Sequence, residues 1–396
     1  MSKKRVGRRR IVAGTAVAGV LALALTACGS GNSTTKSDAT PVGDSSAGSS
    51  AAVDAAKAVV AQATAPITDF PDVTPVDGVS SLAGKNVWFV PIGMAPPAFQ
   101  VYADAITEAL NDVKINVHVC DGKFVPTTIA ACLDQAGSSG ADAVVTGYVD
   151  YVLVKQSVDA LTAKGVKVLL GGVALPDGVH NTDTLAFRDT NDEQRDGEQL
   201  TANDIIADSG GDANILYIGA TDSPALKSIA DETVSYIQEK CPDCTVDRID
   251  YNTASLDKLQ SLVSTSLIKD DSDYVFAELD TAIPSAQAGA QAAGKTVKIA
   301  GLGADLTTLQ GIAAGGPEIA TAGSHLAYAS WVFANDVITM LTGKAPADTS
   351  SLPIPYRLFN ADNVSGLDLT PKGYASMDWY GDDSYKDTFL SAWGVS

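Results

Sequence analysis

Any reaction run by this chain would have to be built from three histidines, five cysteines and a large stock of carboxylates. His118 falls inside an apolar run, His180 in a loop and His325 at the start of a late helical pattern, so no two of them stand at acid–base or metal-ligand spacing. No Gly-x-Ser-x-Gly turn raises a nucleophilic serine, no His-Glu-x-x-His occurs, and no phosphate loop is expected. The paired carboxylates Asp270 with Asp271 and Asp382 with Asp383 lie in polar turns, where solvation explains them more simply than catalysis. The pattern is not that of an enzyme, and it calls for no cofactor and no metal.

The cysteines divide by position. Cys28 follows Leu25, Thr26 and Ala27, which close an uncharged apolar run from Ile11 to Leu25. That run follows Lys3, Lys4, Arg5, Arg8, Arg9 and Arg10. Basic n-region, short h-region and small residues before a cysteine make a lipoprotein signal peptide over 1–27, with Cys28 as the lipidated residue and the body exported to the outer face of the cell membrane or the periplasm. Arg8 to Val12 leaves the Sec and twin-arginine routes both open. Cys120, Cys132, Cys241 and Cys244 remain, an even number for an oxidising compartment, and the close pairs Cys120–Cys132 and Cys241–Cys244 are expected as disulfides. A redox role for the second pair fits poorly, because Cys241 follows a helical stretch whereas reactive thiols favour helix N-termini.

Residues 1–27 hold six of the 27 basic residues and none of the 47 acidic ones, which leaves 21 basic against 47 acidic and a net charge near −26. No run of Lys or Arg follows Cys28, so nucleic acid is excluded as a partner. Residues 28–84 read as a flexible tether and lead-in, with a short helix over 51–63 and an extended stretch imposed by Pro66, Pro71 and Pro75.

From Lys85 on, short β-branched runs alternate with helical patterns, as buried parallel strands with crossover helices require. Strands are expected from Val87, Ile115, Ala143 and Val166, and again from Ile215, Val246, Val275 and Val297. The spacings are 28, 28 and 23 residues in the first set and 31, 29 and 22 in the second. The shared rhythm implies an α/β protein of two similar doubly wound parallel-sheet lobes. Phe99, Tyr102, Ile106 and Leu110 form one helical stripe, Val154, Val158 and Leu161 another, and Ala327 to Leu341 a late helix. Leu185 to Phe187 and Ile319 to Ala322 suit chain crossings between the lobes.

On these residues the chain resembles the type I periplasmic-binding family, the ribose and galactose binders of ABC importers, whose lobes are also similar to LacI-type sugar-binding cores. Val87 to Pro91 with Pro96, Pro97, Ala98 and Phe99 resembles its first strand and Asn-Pro-Phe-Phe-like ligand loop. Gly140 to Val145 and Ala163 to Val168 resemble the lead-ins to the third and fourth strands. Phe276 to Asp280 resembles Phe-Ala-x-Asn-Asp, and Ile299 to Leu302 resembles the start of Val-Gly-Phe-Asp. The resemblance implies a three-strand hinge, an N-terminal lobe of 85–187 plus 325–345, and a C-terminal lobe of 188–324 plus 346–396. It also implies a monomeric lipoprotein, held to the membrane by its lipid, that captures a small sugar-like molecule and delivers it to an ABC permease. A sensory lipoprotein of the same fold, signalling to a receptor or kinase, is the alternative.

Departures bear on the ligand. The family's fourth strand ends in Asp-Arg, which forks onto sugar hydroxyls, whereas here Gly171, Gly172 and Val173 stand there. Leu279 replaces the Asn, and Gly303, or Asp305 after a shift, replaces the Asp of Val-Gly-Phe-Asp, which points to a ligand less hydroxylated than a pentose or hexose.

Ligands in open α/β sheets bind beyond the carboxyl ends of strands. The candidates there are Phe99, to stack on a ring or to pack in the core; Tyr148, Asp150 and Tyr151, after the third strand; and Arg188, to clamp a ligand or to pair with Asp189. Asp222 follows with N-cap duty as the alternative, then Asp280 at the matched position, Asp305, and last His325, whose other reading is structural.

Overall fold

The computed structural model describes residues 45–176 and 178–395; the signal peptide expected over 1–27 and the expected lipidation site at Cys28 lie outside the described residues. The two expected sheets are present. The first is built from β1 (Asn86–Pro91), β2 (Asn116–Val119), β3 (Ala143–Gly147), β4 (Lys167–Gly171) and β5 (Leu185–Arg188), all parallel, in the order β2-β1-β3-β4-β5. The second has β6 (Asn214–Ala220), β7 (Thr245–Tyr251), β8 (Tyr274–Ala277), β9 (Lys298–Leu302), β10 (Glu318–Ser324) and β11 (Tyr356–Asn360), in the order β11-β10-β9-β8-β6-β7. Only β11 in that sheet runs antiparallel, against β10.

The helices are α1 (Ser45–Ala63), α2 (Pro97–Asp112), α3 (Pro126–Ser138), α4 (Tyr151–Ala163), α5 (Asn191–Ser209), α6 (Pro224–Lys240), α7 (Leu256–Lys269), α8 (Ile283–Ala293), α9 (Leu306–Ala313), α10 (Leu326–Leu341), α11 (Pro371–Ser376) and α12 (Tyr385–Ala392). None among the described residues is long and apolar enough to cross a membrane. Two helix layers cover each sheet, α2 with α10 and α3 with α4 on the first, α5 with α6 and α7 with α8 on the second. Strands buried on both faces explain the continuous apolar runs such as Val87 to Val90. Of the expected α2 stripe, Tyr102, Ile106 and Leu110 are buried and Phe99 is half-buried.

The chain crosses between sheets three times: from β5 into α5, from β10 into α10, and from α10 back to β11. Both cysteine pairs form disulfides, Cys120–Cys132 tying the end of β2 to α3, and Cys241–Cys244 closing the turn after α6. Gly289, Gly294, Lys295 and Thr296 fit a phosphate-loop pattern in letters, but they end α8 and lead toward β9. Such a loop needs the reverse order, and Lys295 pairs with Asp271.

The lead-in is more structured than its composition suggests. α1 begins at Ser45 and lies on α5 through Ala56, Val60 and Ala63. Thr64 O then accepts from Arg357 Nη2 at 2.8 Å and Asn363 Nδ2 at 3.0 Å. Ile67 pairs with the tail at Tyr380 and Gly381, Phe70 sits against Tyr328 and Tyr385, and Val79 and Leu82 enter the core under α2 and α10. At the other end of the chain, Trp393 stacks on Trp331 at 5.5 Å and donates from Nε1 to Asn335, which fixes α12 on α10.

Candidate functional site

Residues beyond the carboxyl ends of the first sheet's strands meet those of the crossings in one hydroxyl-rich, aromatic cluster. Tyr148 follows β3 in a left-handed conformation (φ 58°), and its hydroxyl lies 2.7 Å from that of Tyr102 on α2. Thr190 stands beside Tyr148 at the first crossing, and Ser324 at the second stands beside both Tyr102 and Tyr356. Burial pushes all three phenols up, so they are neutral donors and acceptors at physiological pH. Phe99 continues the wall, its ring 6.0 Å from Tyr148, 6.2 Å from Tyr102 and 6.2 Å from Phe124.

Glycines seat these rings. A Cβ on Gly172 would lie 2.6 Å from the Tyr148 ring, one on Gly171 2.7 Å from Phe333, one on Gly93 2.3 Å from Phe124, and one on Gly197 2.4 Å from Tyr356. Gly172 also holds φ at 78°, a conformation that disfavours side chains. The fourth strand therefore ends in two glycines because aromatic rings occupy the space a side chain would need.

The charged candidates are each engaged within the fold. Arg188 is buried and forks onto Asp336 of α10, Nε to Oδ2 and Nη2 to Oδ1 both at 2.7 Å, with Nη1 donating to Thr349 O. Burial pushes Asp336 up against the pull of Arg188; the two short parallel bonds are those of an ion pair, and we assign the charged pair. Asp189 accepts instead from Asn191 N. Asp150 caps α4 through Val152 N, and Tyr151 donates to Asp159 while its ring meets Phe187. Asp222 accepts from Thr253 N, tying the loops after β6 and β7.

Asp280 is buried and accepts from Asp305 N at 2.9 Å and from Thr321 Oγ1 at 3.0 Å. Burial, with repulsion from Asp305, pushes it up to about 7. Burial also raises the Asp305 carboxyl. His325 caps α10, Nδ1 accepting from Tyr328 N at 3.3 Å, and burial holds it down at about 4. It also lines a hollow of about 400 Å³ under the tail, apart from the tyrosine cluster and edged by Asp104, Glu108 and Asp382. Among the described residues no group of three His, Cys, Asp or Glu could hold a metal ion.

Of the expected residues, the structure gathers Phe99 and Tyr148 into one cluster and distributes the others around it. Sequence reasoning missed Tyr102, Phe124, Tyr356, Thr190 and Ser324. Tyr102 was absorbed into the α2 stripe, and Tyr356 opens a strand that was not foreseen. It also missed a buried acidic group in the second lobe, where Glu198 accepts from Tyr217 Oη at 2.7 Å and Thr233 Oγ1 at 2.6 Å, and Glu278 accepts from Ala220 N.

No protein-family model matches the chain, and no curated protein matches it in sequence. Solved structures do. A 5-methylthioribose transporter solute-binding protein from Thermotoga lettingae, in complex with 5-methylthioribose, superposes with a TM-score of 0.62 at 14% identity over 81% of this chain and 99% of its own. The chain has the type I periplasmic-binding fold. An ABC transporter solute-binding protein from Mycobacterium smegmatis with bound glycerol gives 0.61 at 17% identity, covering 72% of this chain and 97% of that one. A periplasmic ribose ABC transporter protein from Conexibacter woesei gives 0.60 at 15%, covering 71% and 94%. Almost the whole of each neighbour is matched, while more than a sixth of this chain falls outside each match.

Proposed function

We propose that this chain is the solute receptor of an ABC importer: a lipoprotein anchored through Cys28 that closes its two lobes on a small molecule and presents the closed form to a membrane permease. The observation that carries this reading is the convergence of Tyr102, Tyr148, Tyr356, Thr190 and Ser324 at the lobe crossings, beneath the aromatic wall of Phe99 and Phe124. A site at a hinge responds to closure, because contacts from both lobes are complete only when the lobes come together. The moving bodies are 85–187 with 325–345, and 188–324 with β11; the tail helix α12, expected with the second body as part of 346–396, packs instead on α10 through Trp393. A permease is preferred to a sensor kinase as partner because the solved neighbours are transport proteins.

Purified full chain, screened by thermal shift against sugars, polyols, glycosides, nucleosides and amino acids, should melt higher with one class by mass action. A flat response across the collection, or conversion of a binder into a new compound, would count against a receptor. Replacing Cys28 with Ser should block lipid attachment; unchanged membrane retention of that variant would remove the anchor from the proposal.

A further inference from the structure

We infer that the solute is an uncharged sugar derivative with an apolar substituent, such as a thioalkyl, alkyl or planar-base group, rather than a free sugar or an anion. This rests on the cleft proposed above and deepens it.

Three observations converge. First, the end of β4 offers the cleft no side chain at Gly171 and Gly172: the fully buried Phe333 ring fills the space over Gly171 from the core, and the half-buried Tyr148 ring covers Gly172, so Tyr148 forms this part of the wall. Second, the wall continues outward into apolar surface without a polar partner. Phe124 is 46% exposed on its glycine seat at Gly93, and Val125 next to it is exposed at 43%. Third, the polar groups that converge at the base are hydroxyls with the Glu193 carboxyl beside Tyr148 and Tyr356, while the buried cation there, Arg188, is already paired with Asp336.

Each has a chemical consequence. An anion needs a donor fork, and the buried fork beside the cleft, Arg188, is taken up by Asp336. The acidic excess of the chain opposes anions further. A free sugar can satisfy one edge at the hydroxyl base, but its other hydroxyls would face rings that neither donate nor accept in plane. Each such unpaired group weakens binding by about tenfold or more. A ligand that is hydroxylated at one end and apolar at the other meets both surfaces without loss.

The test is calorimetric titration of the detergent-solubilised full chain with 5-methylthioribose, phenyl β-D-ribofuranoside and adenosine, against ribose, glucose and ribose 5-phosphate. At least one substituted neutral compound should bind about tenfold or more tighter than ribose. Phe124→Ala should erase that preference while the melting temperature of the free protein stays put, since the ring is half in solvent. Ribose or glucose binding as tightly as the substituted compounds, the phosphate binding tightest, or a Phe124→Ala variant with the preference intact would each overturn the inference, yet leave a receptor that binds solute. Absence of binding by all six would overturn it too, and the receptor reading would then stand or fall on the wider thermal screen.

Discussion

Replacing Asp336 with Ala would strand the Arg188 guanidinium in the core of the first lobe, with one carbonyl left to accept from it. Breaking a buried pair from one side typically costs about 3 to 5 kcal/mol, because the remaining charge keeps its desolvation penalty. We expect that loss in urea unfolding, and the double change Arg188→Met with Asp336→Leu should recover much of it. A single variant within about 1 kcal/mol of the parent would mean the charge finds water, contrary to its burial. Buried titratable groups also set a pH dependence. His325, held down at about 4, is charged more readily unfolded, so its contribution is complete above its ordinary 6.5 and is lost as pH falls toward 4. Asp204, raised by burial to about 6, and Asp280, raised to about 7, act the other way: their contribution is complete below the ordinary carboxylate range and is lost as pH rises to those values. Glu198 is likewise raised to about 7, chiefly by burial, and Glu278 is raised by burial and by Glu198. The carboxyls outnumber the histidine, so stability should fall between pH 5 and pH 7.5. Glu278→Gln should flatten that fall, and an unchanged pH profile in this variant would contradict the assignment.

The elements foreshadowed by the strand rhythm stand within a residue of their expected starts, β1 at Asn86 for Val87 and β8 at Tyr274 for Val275. They were legible because buried parallel strands must be continuous apolar runs. β11 was not, since Pro353 and Pro355 precede it and it pairs antiparallel with an edge that only the folded sheet defines. The tyrosine cluster was half legible. Tyr148 lies at a strand end, but Tyr102 has the spacing of a core residue, and its hydroxyl partner comes from another element. The lead-in segment was illegible for a different reason: its contacts are backbone bonds and single side chains spread over both sheets' layers. Phe70 is the largest of these, and Phe70→Ala should cost about 1 to 3 kcal/mol, less than a fully buried Phe because the ring is half-buried. No measurable loss would show the strap to be loosely held. The disulfides should differ by loop length. Opening Cys120–Cys132, with a separation of 12, should cost about 3 kcal/mol and opening Cys241–Cys244, with a separation of 3, about 2 by loop entropy. Serine pairs compared by thermal unfolding check the order, and a larger loss at the second pair would reverse it.

At the scale of the molecule, two sheets of one plan meet at three crossings, and a fourth connection passes beside them. The segment from Thr64 to Leu82 leaves α1 on the second lobe's layer, passes within 6.1 Å of His325 at Phe70 and ends in the first lobe's core. The proposed closure requires the hinge to bend at the crossings with this strap in place. The central claim is that a small solute closes this hinge, and the direct measurement is a distance across the mouth. Spin labels at Val152, which is 72% exposed at the start of α4, and at Asp257, exposed at the start of α7, report it in the full chain by pulsed dipolar spectroscopy. With a solute that raises the melting temperature, the distribution should narrow and move to shorter distance. A distribution that keeps its mean and width under saturating solute would contradict closure, and with it the account of the site as a receptor cleft.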